Sequence, residues 1–344
     1  MDNYQTFSTD ELMPMIPSLF VPGSFLTRAF FPDIVTFDTA FVTFDRVLDD
    51  KRMAPFVAPL APGKVHQPRG YQVETLVPAS LKPKNQITGN EVLTRRAGEA
   101  FGGEMSAADR AAAIREDYLL SHQAKIIRRF EWMASSILRT GSVTLVGDDY
   151  PSTVVNFARA NTLTKTLLLT ARWGESGVSP YDDVQGWIDT VGEQSGSAVN
   201  IVVMDKLAWG YYINDPKTQK ALDRTLGQTA ALTLGLTPTV PGAPTYKGTD
   251  GGVEFYVYND NYEDDTGAAA KLIPDNTVIM GSQGGVAGAQ MFGVVQHASN
   301  NYGEGQFFPH NWIDENTGAE WIETITAPIL APRRVNATLC ATVR

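Results

Sequence analysis

At 344 residues the chain can bury a large core and form one big domain or two closely joined ones. Its composition, 43% hydrophobic and 19% charged, is globular and excludes collagen-like and disordered classes. The formal charge of −10 argues against a free-standing nucleic-acid binder, which needs a basic surface to neutralise phosphates. The lone cysteine, Cys340, excludes an intrachain disulfide and a cysteine-rich metal site, so a reducing compartment is expected. Met1 to Pro17 is polar and acidic, unlike a signal peptide, and no apolar run approaches the roughly 20 residues that span a bilayer.

From Leu12 to Phe37 the chain reads as an arm. Pro14, Pro17, Pro22 and Pro32 forbid a long helix, while Phe20, Phe25, Leu26, Phe30 and Phe31 are too apolar to stay in water. Such a segment must lie on its own core or on a neighbouring molecule. Two strand-like runs follow, Ala40–Val47 and Tyr71–Val77, the second strictly alternating. Between them Asp49–Arg69 contains Pro55, Pro59, Pro62 and Pro68, which suit sheet edges and turns but not a central strand. Together they predict a protruding hairpin, reaching on the order of 60 Å if its arms are fully extended.

Ser106–Thr140 is the clearest helix. Ser106 with Asp109 makes a near-capping box, and Gly141 is a fitting stop. Leu119, Ile126, Phe130, Met133 and Ile137 fall on one stripe, and the helix would run about 52 Å as a structural spine. After Pro180 helix and strand alternate. Asp182 or Asp183 is the expected cap of a helix bearing Val184, Trp187, Ile188 and Val191. Asn200–Met204 is an apolar strand, and Lys206–Ile213 and Pro216–Leu226 are helices. Val253–Tyr258 and Thr277–Met280 are strands, and Trp321–Val343 is extended and broken by Pro328 and Pro332.

Candidate chemistry is thin. His66, His122, His297 and His310 are far apart, and none has a second ligand at helical spacing. Gly281–Gly288 follows a strand but lacks the Lys-Ser/Thr ending of a phosphate loop, so it reads as a glycine-rich turn between strands. Asn259, Asp260, Asn261, Glu263, Asp264 and Asp265 gather oxygen ligands without an EF-hand register, as solvated loop tips do. Lys125, Arg128 and Arg129 read as a solvated helix face. Trp173, Trp187, Trp209, Trp312 and Trp321 read as core or contact residues. No constellation specifies a reaction, and neither a cofactor nor a metal is implied.

Several segments, in order, resemble the lambda-type phage major capsid proteins, the capsid protein E family. They are Leu81–Asn85 with Leu93–Arg96 ahead of the long helix, Asn200–Asp205, Ile273–Gly281, Phe308–Trp312 and Ala327–Leu330. The resemblance runs over nearly the whole chain. It implies an α+β chain with the tailed-phage capsid fold of the Hong Kong phage type. In that fold an N-terminal arm (1–37) and an extended loop (38–95) reach onto neighbours. A peripheral domain (96–143 and 307–344) carries the spine helix 106–140, and an axial domain (144–306) meets its copies at five-fold and six-fold positions.

The implied function is a major head protein enclosing double-stranded DNA in an icosahedral shell. No sequence-specific DNA contact, membrane or enzymatic activity is implied, and an acidic wall would not adsorb the incoming duplex. A cargo-enclosing nanocompartment of the same fold is the alternative, and a hydrolase with a spatially assembled site is a more distant one. The implied partners are pentamers and hexamers of the chain itself, a scaffolding protein, a portal protein and a decoration protein, with assembly in the bacterial cytoplasm and the virion as destination. Candidate intersubunit contacts are Phe20, Phe30 and Phe31 of the arm, Pro55, Phe56, Pro59, Lys64 and Arg69 of the loop, and Lys82 and Lys84 beside it.

Overall fold

The computed structural model describes residues 24–47, 53, 56–59, 62, 71–95, 105–147, 150–226, 243–264 and 267–344. The arm supplies a short helix α1 (Phe25–Phe30) and strand β1 (Asp33–Thr36). Strands β2 (Val42–Val47) and β3 (Tyr71–Leu76) pair antiparallel, Val42 opposite Leu76, as the base of the expected hairpin. Strand β4 (Lys84–Ile87) and helix α2 (Gly89–Leu93) lead to the long helix α3 (Ala107–Thr140). A hairpin, β5 (Ser142–Gly147) and β6 (Tyr150–Asn156), precedes the short strand β7 (Thr164–Thr166).

The next part of the chain holds α4 (Pro180–Ser195), β8 (Ile201–Met204), α5 (Lys206–Ile213) and α6 (Pro216–Leu226). It continues through β9 (Thr245–Asp250), β10 (Val253–Val257), the small hairpin β11 (Asn261–Glu263) and β12 (Ala269–Lys271), and β13 (Thr277–Gly281). The single turn α7 (Gln283–Val286), where a turn was expected, leads into β14 (Gly288–Phe292). Strands β15 (Phe308–Ile313), β16 (Glu320–Ile325), β17 (Pro328–Pro332) and β18 (Thr338–Thr342) close the chain.

Helix α3 forms where its capping chemistry places it. Ser106 Oγ accepts the Asp109 N–H at 3.1 Å and Asp109 accepts the Ser106 N–H at 3.2 Å. Gly141 stops the helix at φ 72°, a left-handed conformation that costs glycine little. The expected stripe from Leu119 to Ile137 is buried throughout. Helix α4 differs from expectation at its start. Ser179, not Asp182 or Asp183, is the cap, because Pro180 fills the first helical position and puts both aspartates inside the first turn.

Three sheets meet the spine. The order β1-β14-β17 makes one, β15-β16-β4 a second, and β7-β18-β13-β8-β10-β9 a six-stranded third. At the centre of the third, both faces are buried, which explains the unbroken apolar run of β8. Ile201 and Val203 join the core cluster that contains Ile126, Met133 and Ile137 of the spine, whereas Val202 and Met204 join Val184, Trp187 and Val191 of α4. The expected division placed 307–344 beside the spine. Within that stretch β18 joins the spine's core cluster through Cys340 and also lies between β7 and β13 of the large sheet, with Leu339 and Ala341 in the cluster under α4. Strand β14, in the 144–306 stretch, pairs with β1 of the arm.

The arm helix seats where side chains are missing. A Cβ on Gly281 would lie 2.8 Å from the Phe30 ring, and one on Gly288 would collide with the Phe30 carbonyl oxygen and the Phe31 ring. Gly288→Ala should therefore cost about 1–3 kcal/mol by overpacking. Gly284→Ala, where a Cβ meets open space, should stay within about 0.5 kcal/mol. Chemical denaturation of the two variants checks the contrast.

Candidate functional site

The arm is held by a buried carboxylate. Glu131 is 1% exposed, and its carboxylate accepts the N–H groups of Leu26 (2.7 Å) and Thr27 (3.0 Å) and the Thr27 hydroxyl (2.8 Å). These N–H groups belong to the first turn of α1, where a negative charge is favoured. Burial pushes the Glu131 carboxyl above its ordinary range, against the downward pull of these hydrogen bonds. The neighbouring Tyr258 phenol is also driven up, by burial first and then by the charges of Glu131 and Asp260.

Sequence reasoning missed this anchor. Its signal was a lone carboxylate in a row with Ala134 and Leu138, both buried. Phe30 and Phe31 are wholly buried in the subunit's own core. Of the two places open to the arm, its own core or a neighbour, these two rings occupy the first within the isolated subunit. Phe20 lies outside the described residues.

Of the hairpin, Pro55, Lys64 and Arg69 lie outside the described residues, whereas Phe56 is fully exposed and Met53, Val57 and Pro59 are exposed beside it. Lys82 and Lys84 are exposed at the start of the β4 sheet.

The β15-β16-β4 sheet has two contrasting faces. On the inner face Ile322 packs on Leu119, and Arg115 grips Glu320 through two hydrogen bonds of 2.7 Å. Burial raises the Glu320 carboxyl, but the hydrogen bonds from Arg115 and Asn311 and the Arg115 charge outweigh it, leaving the group below its usual range. His122, also on this face, is fully buried. Its Nε2 lies 2.9 Å from Asn85 Oδ1, an acceptor, and its Nδ1 lies 3.1 Å from Thr324 Oγ1, which fits a neutral ring with the proton on Nε2. Burial, aided by the Lys125 charge, pushes its pKa down to about 4.

The outer face carries a column of rings. His297 and His310 stand 4.6 Å apart, His310 and Trp312 5.3 Å, and Trp312 and Trp321 6.5 Å. Lys84 Nζ sits 4.5 Å from the Trp312 ring and 4.1 Å from that of Trp321. The sequence hid this column because it depends on the pairing of β15 with β16, which sets Trp312 opposite Trp321. Trp173 and Trp187, by contrast, stack in the core at 5.8 Å.

The basic residues Lys125, Arg128 and Arg129 border a cleft whose other side is Tyr262, Glu263 and Asp264 of the small acidic hairpin. Among the described residues no group of three His, Cys, Asp or Glu side chains is placed to hold a metal ion, and no helix is long and apolar enough to cross a membrane.

A long spine helix, a helical arm clamped to it, the paired strands β2 and β3 and a large mixed sheet define a tailed-phage capsid subunit of the Hong Kong phage type. The chain belongs to the phage major capsid protein E family, whose model matches residues 8–343. It is 24% identical over 328 residues to the major capsid protein of Escherichia phage lambda, covering 94% of this chain and 95% of that one. It is 23% identical over 329 residues to the major capsid protein of Escherichia phage N15, with the same coverage. The crystal structure of a prophage capsid protein from Escherichia coli CFT073 superimposes with a TM-score of 0.75 at 17% identity, over 99% of this chain and 100% of that one. The capsid structure of cyanophage P-SCSP1u gives 0.50 at 7% identity, over 99% and 91%. The protein is thus a structural capsid subunit and not an enzyme.

His122 gives the site a pH dependence of definite sign. The unfolded ring binds a proton near pH 6.5, and the buried ring resists it down to about pH 4. Its contribution to stability is present above pH 6.5 and is lost as pH falls through that window. Urea midpoints measured from pH 7 to pH 4 should fall more steeply for the wild type than for His122→Gln, which has nothing to titrate there.

Proposed function

We propose that this subunit builds an icosahedral shell around double-stranded phage DNA, occupying both pentamers and hexamers. The six-stranded sheet with α4 to α6 forms the axial unit. The spine helix with the β15-β16-β4 sheet forms the peripheral unit. The arm and hairpin, near 1–37 and 38–95, are the linking elements. Assembly takes place in the host cytoplasm with a scaffolding protein and a portal protein, and a decoration protein reinforces the finished shell. The excess of acidic over basic side chains suits a wall that must release DNA without holding it.

The observation that carries this reading is the hairpin tip. Met53 and Phe56 are almost or wholly bare in the isolated subunit, at 89% and 105% exposure. Large apolar side chains on a projecting element are what a self-associating subunit presents, because a monomer gains nothing from wetting them. One sequence serving two ring sizes also needs contacts on projecting segments, which adjust while the core stays fixed.

Replacing Asp49–Arg69 with a two-residue turn should leave a folded, soluble subunit with unchanged circular dichroism that forms no shells under electron microscopy when expressed with its genomic neighbours. Normal shells from that variant would contradict the assigned role of the hairpin. Discrete small oligomers from the intact chain under every condition would contradict shell building itself.

A further inference from the structure

The β9 edge of the six-stranded sheet encloses a pocket that shell building leaves unused. Strand pairing decides what it contains. Residues directly opposite on antiparallel strands share a face, so Gly248 and Asp250 of β9 stand on the same side as Phe255 and Val253 of β10. That side packs against Ala208 and Tyr212 of α5. Glycine adds no side chain to it, and a Cβ built on Gly248 meets no atom within 4 Å. The gap is about 410 Å³, part of it open to solvent, between α5, Thr218 of α6 and the two strands.

The walls and the oxygens of this pocket differ in character. The walls are aromatic: Tyr212 and Phe255 stack at 5.2 Å, and Trp209 lies 5.8 Å from Tyr212 and 6.3 Å from Phe255. The oxygens lack partners. Asp250 Oδ2 is buried and accepts no hydrogen bond among the described residues. Thr218 is only 4% exposed, and its Oγ1 makes no well-formed hydrogen bond although the Tyr212 hydroxyl stands near. Burial first, and then the Asp250 charge, hold the Tyr212 phenol well above its ordinary range, so the negative charge here is the carboxylate's. Lys247 lines the rim at a bulge of β9, but it is exposed and gives Asp250 Oδ2 no hydrogen bond. Buried oxygens left unpaired are costly, so the site favours a ligand that brings donors.

We propose that this pocket binds a primary alkylammonium ion, its N–H groups on Asp250 Oδ2 and Thr218 Oγ1 and its aliphatic stem along the Trp209, Tyr212 and Phe255 rings. Each part of the ligand answers a part of the site. An ammonium group carries several N–H donors and a charge opposite to the carboxylate's. Aromatic faces attract cations and cover methylene groups. A divalent metal ion suits the pocket badly, because it needs about six oxygen ligands and the walls are rings. The open side leaves room for a second ammonium, so linear diamines qualify as well as monoamines. Every lining residue belongs to one subunit, so the site exists whether or not shells form.

Isothermal titration calorimetry of the full-length protein at neutral pH tests this, with n-butylamine and putrescine as probes and n-butanol as the uncharged match. Both amines should bind saturably, and n-butanol about ten-fold or more weaker, because it lacks the charge-assisted hydrogen bond. Asp250→Asn should weaken amine binding by about ten-fold or more. Glu254→Gln removes a charge from the opposite face of the same strand pair and should leave binding unchanged. Lys247→Ala removes a like charge from the rim and should tighten binding about two-fold. Circular dichroism confirms that each variant is folded.

Equal losses in Asp250→Asn and Glu254→Gln would mean diffuse attraction to an acidic protein and would overturn the proposal. Binding of n-butanol as tight as n-butylamine, displacement of the amine by magnesium chloride at matched ionic strength, or no saturable heat at millimolar amine would each do the same. Should Asp250→Asn fail to fold, unchanged or weaker binding in Lys247→Ala overturns the proposal on its own.

Discussion

A 34-residue helix has no means of covering its own apolar side, and the architecture follows from that constraint. The spine is about 50 Å long at 1.5 Å per residue, longer than one short sheet can cover. Three separate elements therefore line it. Near its middle Leu119 meets Ile322 of the β15-β16-β4 sheet, and further on Phe130 meets Phe292 of β14 edge to face at 5.8 Å. Towards its end Met133 and Ile137 share the main core cluster with Val203, Ile279 and Cys340 of the six-stranded sheet. Strands from both ends of the chain are drawn in to finish that covering, so β1 and β18 both depend on residues more than a hundred positions away.

Ionisable groups fix the joints. Glu131 caps the arm helix, and Asp205 caps α5 while also accepting the Thr277 N–H at 3.1 Å, which ties β8 to β13. Arg159 donates to the carbonyls of Leu138 and Arg139 at the end of the spine, where a cation suits the helix dipole. Its burial lowers its pKa to about 10, which still leaves it charged at neutral pH. Each group is almost wholly buried and bonds backbone at an element's end. Apolar contacts alone tolerate sliding, whereas a buried charge loses its partners if the joint shifts, so these groups specify geometry more than they add stability.

The elements with strong local signals were legible in the sequence. The capping box at Ser106, the stop at Gly141 and the apolar run of β8 each depend on neighbours within a few residues, and the structure has all three. The cap at Ser179 was misread because three oxygen-bearing residues compete within five positions, and only the backbone path chooses among them. What stayed hidden was pairing. Nothing local announces that β18 enters the large sheet, that Trp312 faces Trp321, or that Glu131 reaches residues some 105 positions earlier. Phe30 and Phe31 left two destinations open for the same reason: apolarity shows that a side chain leaves water, not whose core it enters.

Among the described residues, exposed apolar side chains occur on several different elements. Met53 and Phe56 lie on the hairpin, Val146 and Val154 on the β5–β6 hairpin, and Leu168 and Leu169 on a turn beyond β7. Covering one such side chain is worth roughly 1.5–3 kcal/mol. Bringing two proteins together costs an estimated 4–15 kcal/mol in lost freedom of motion. A single patch therefore falls short of holding a stable dimer. A closed ring changes the arithmetic, since its last subunit engages two neighbours but loses its freedom only once. Weak, scattered contacts let a misplaced subunit leave, and closure makes a correctly placed one stay.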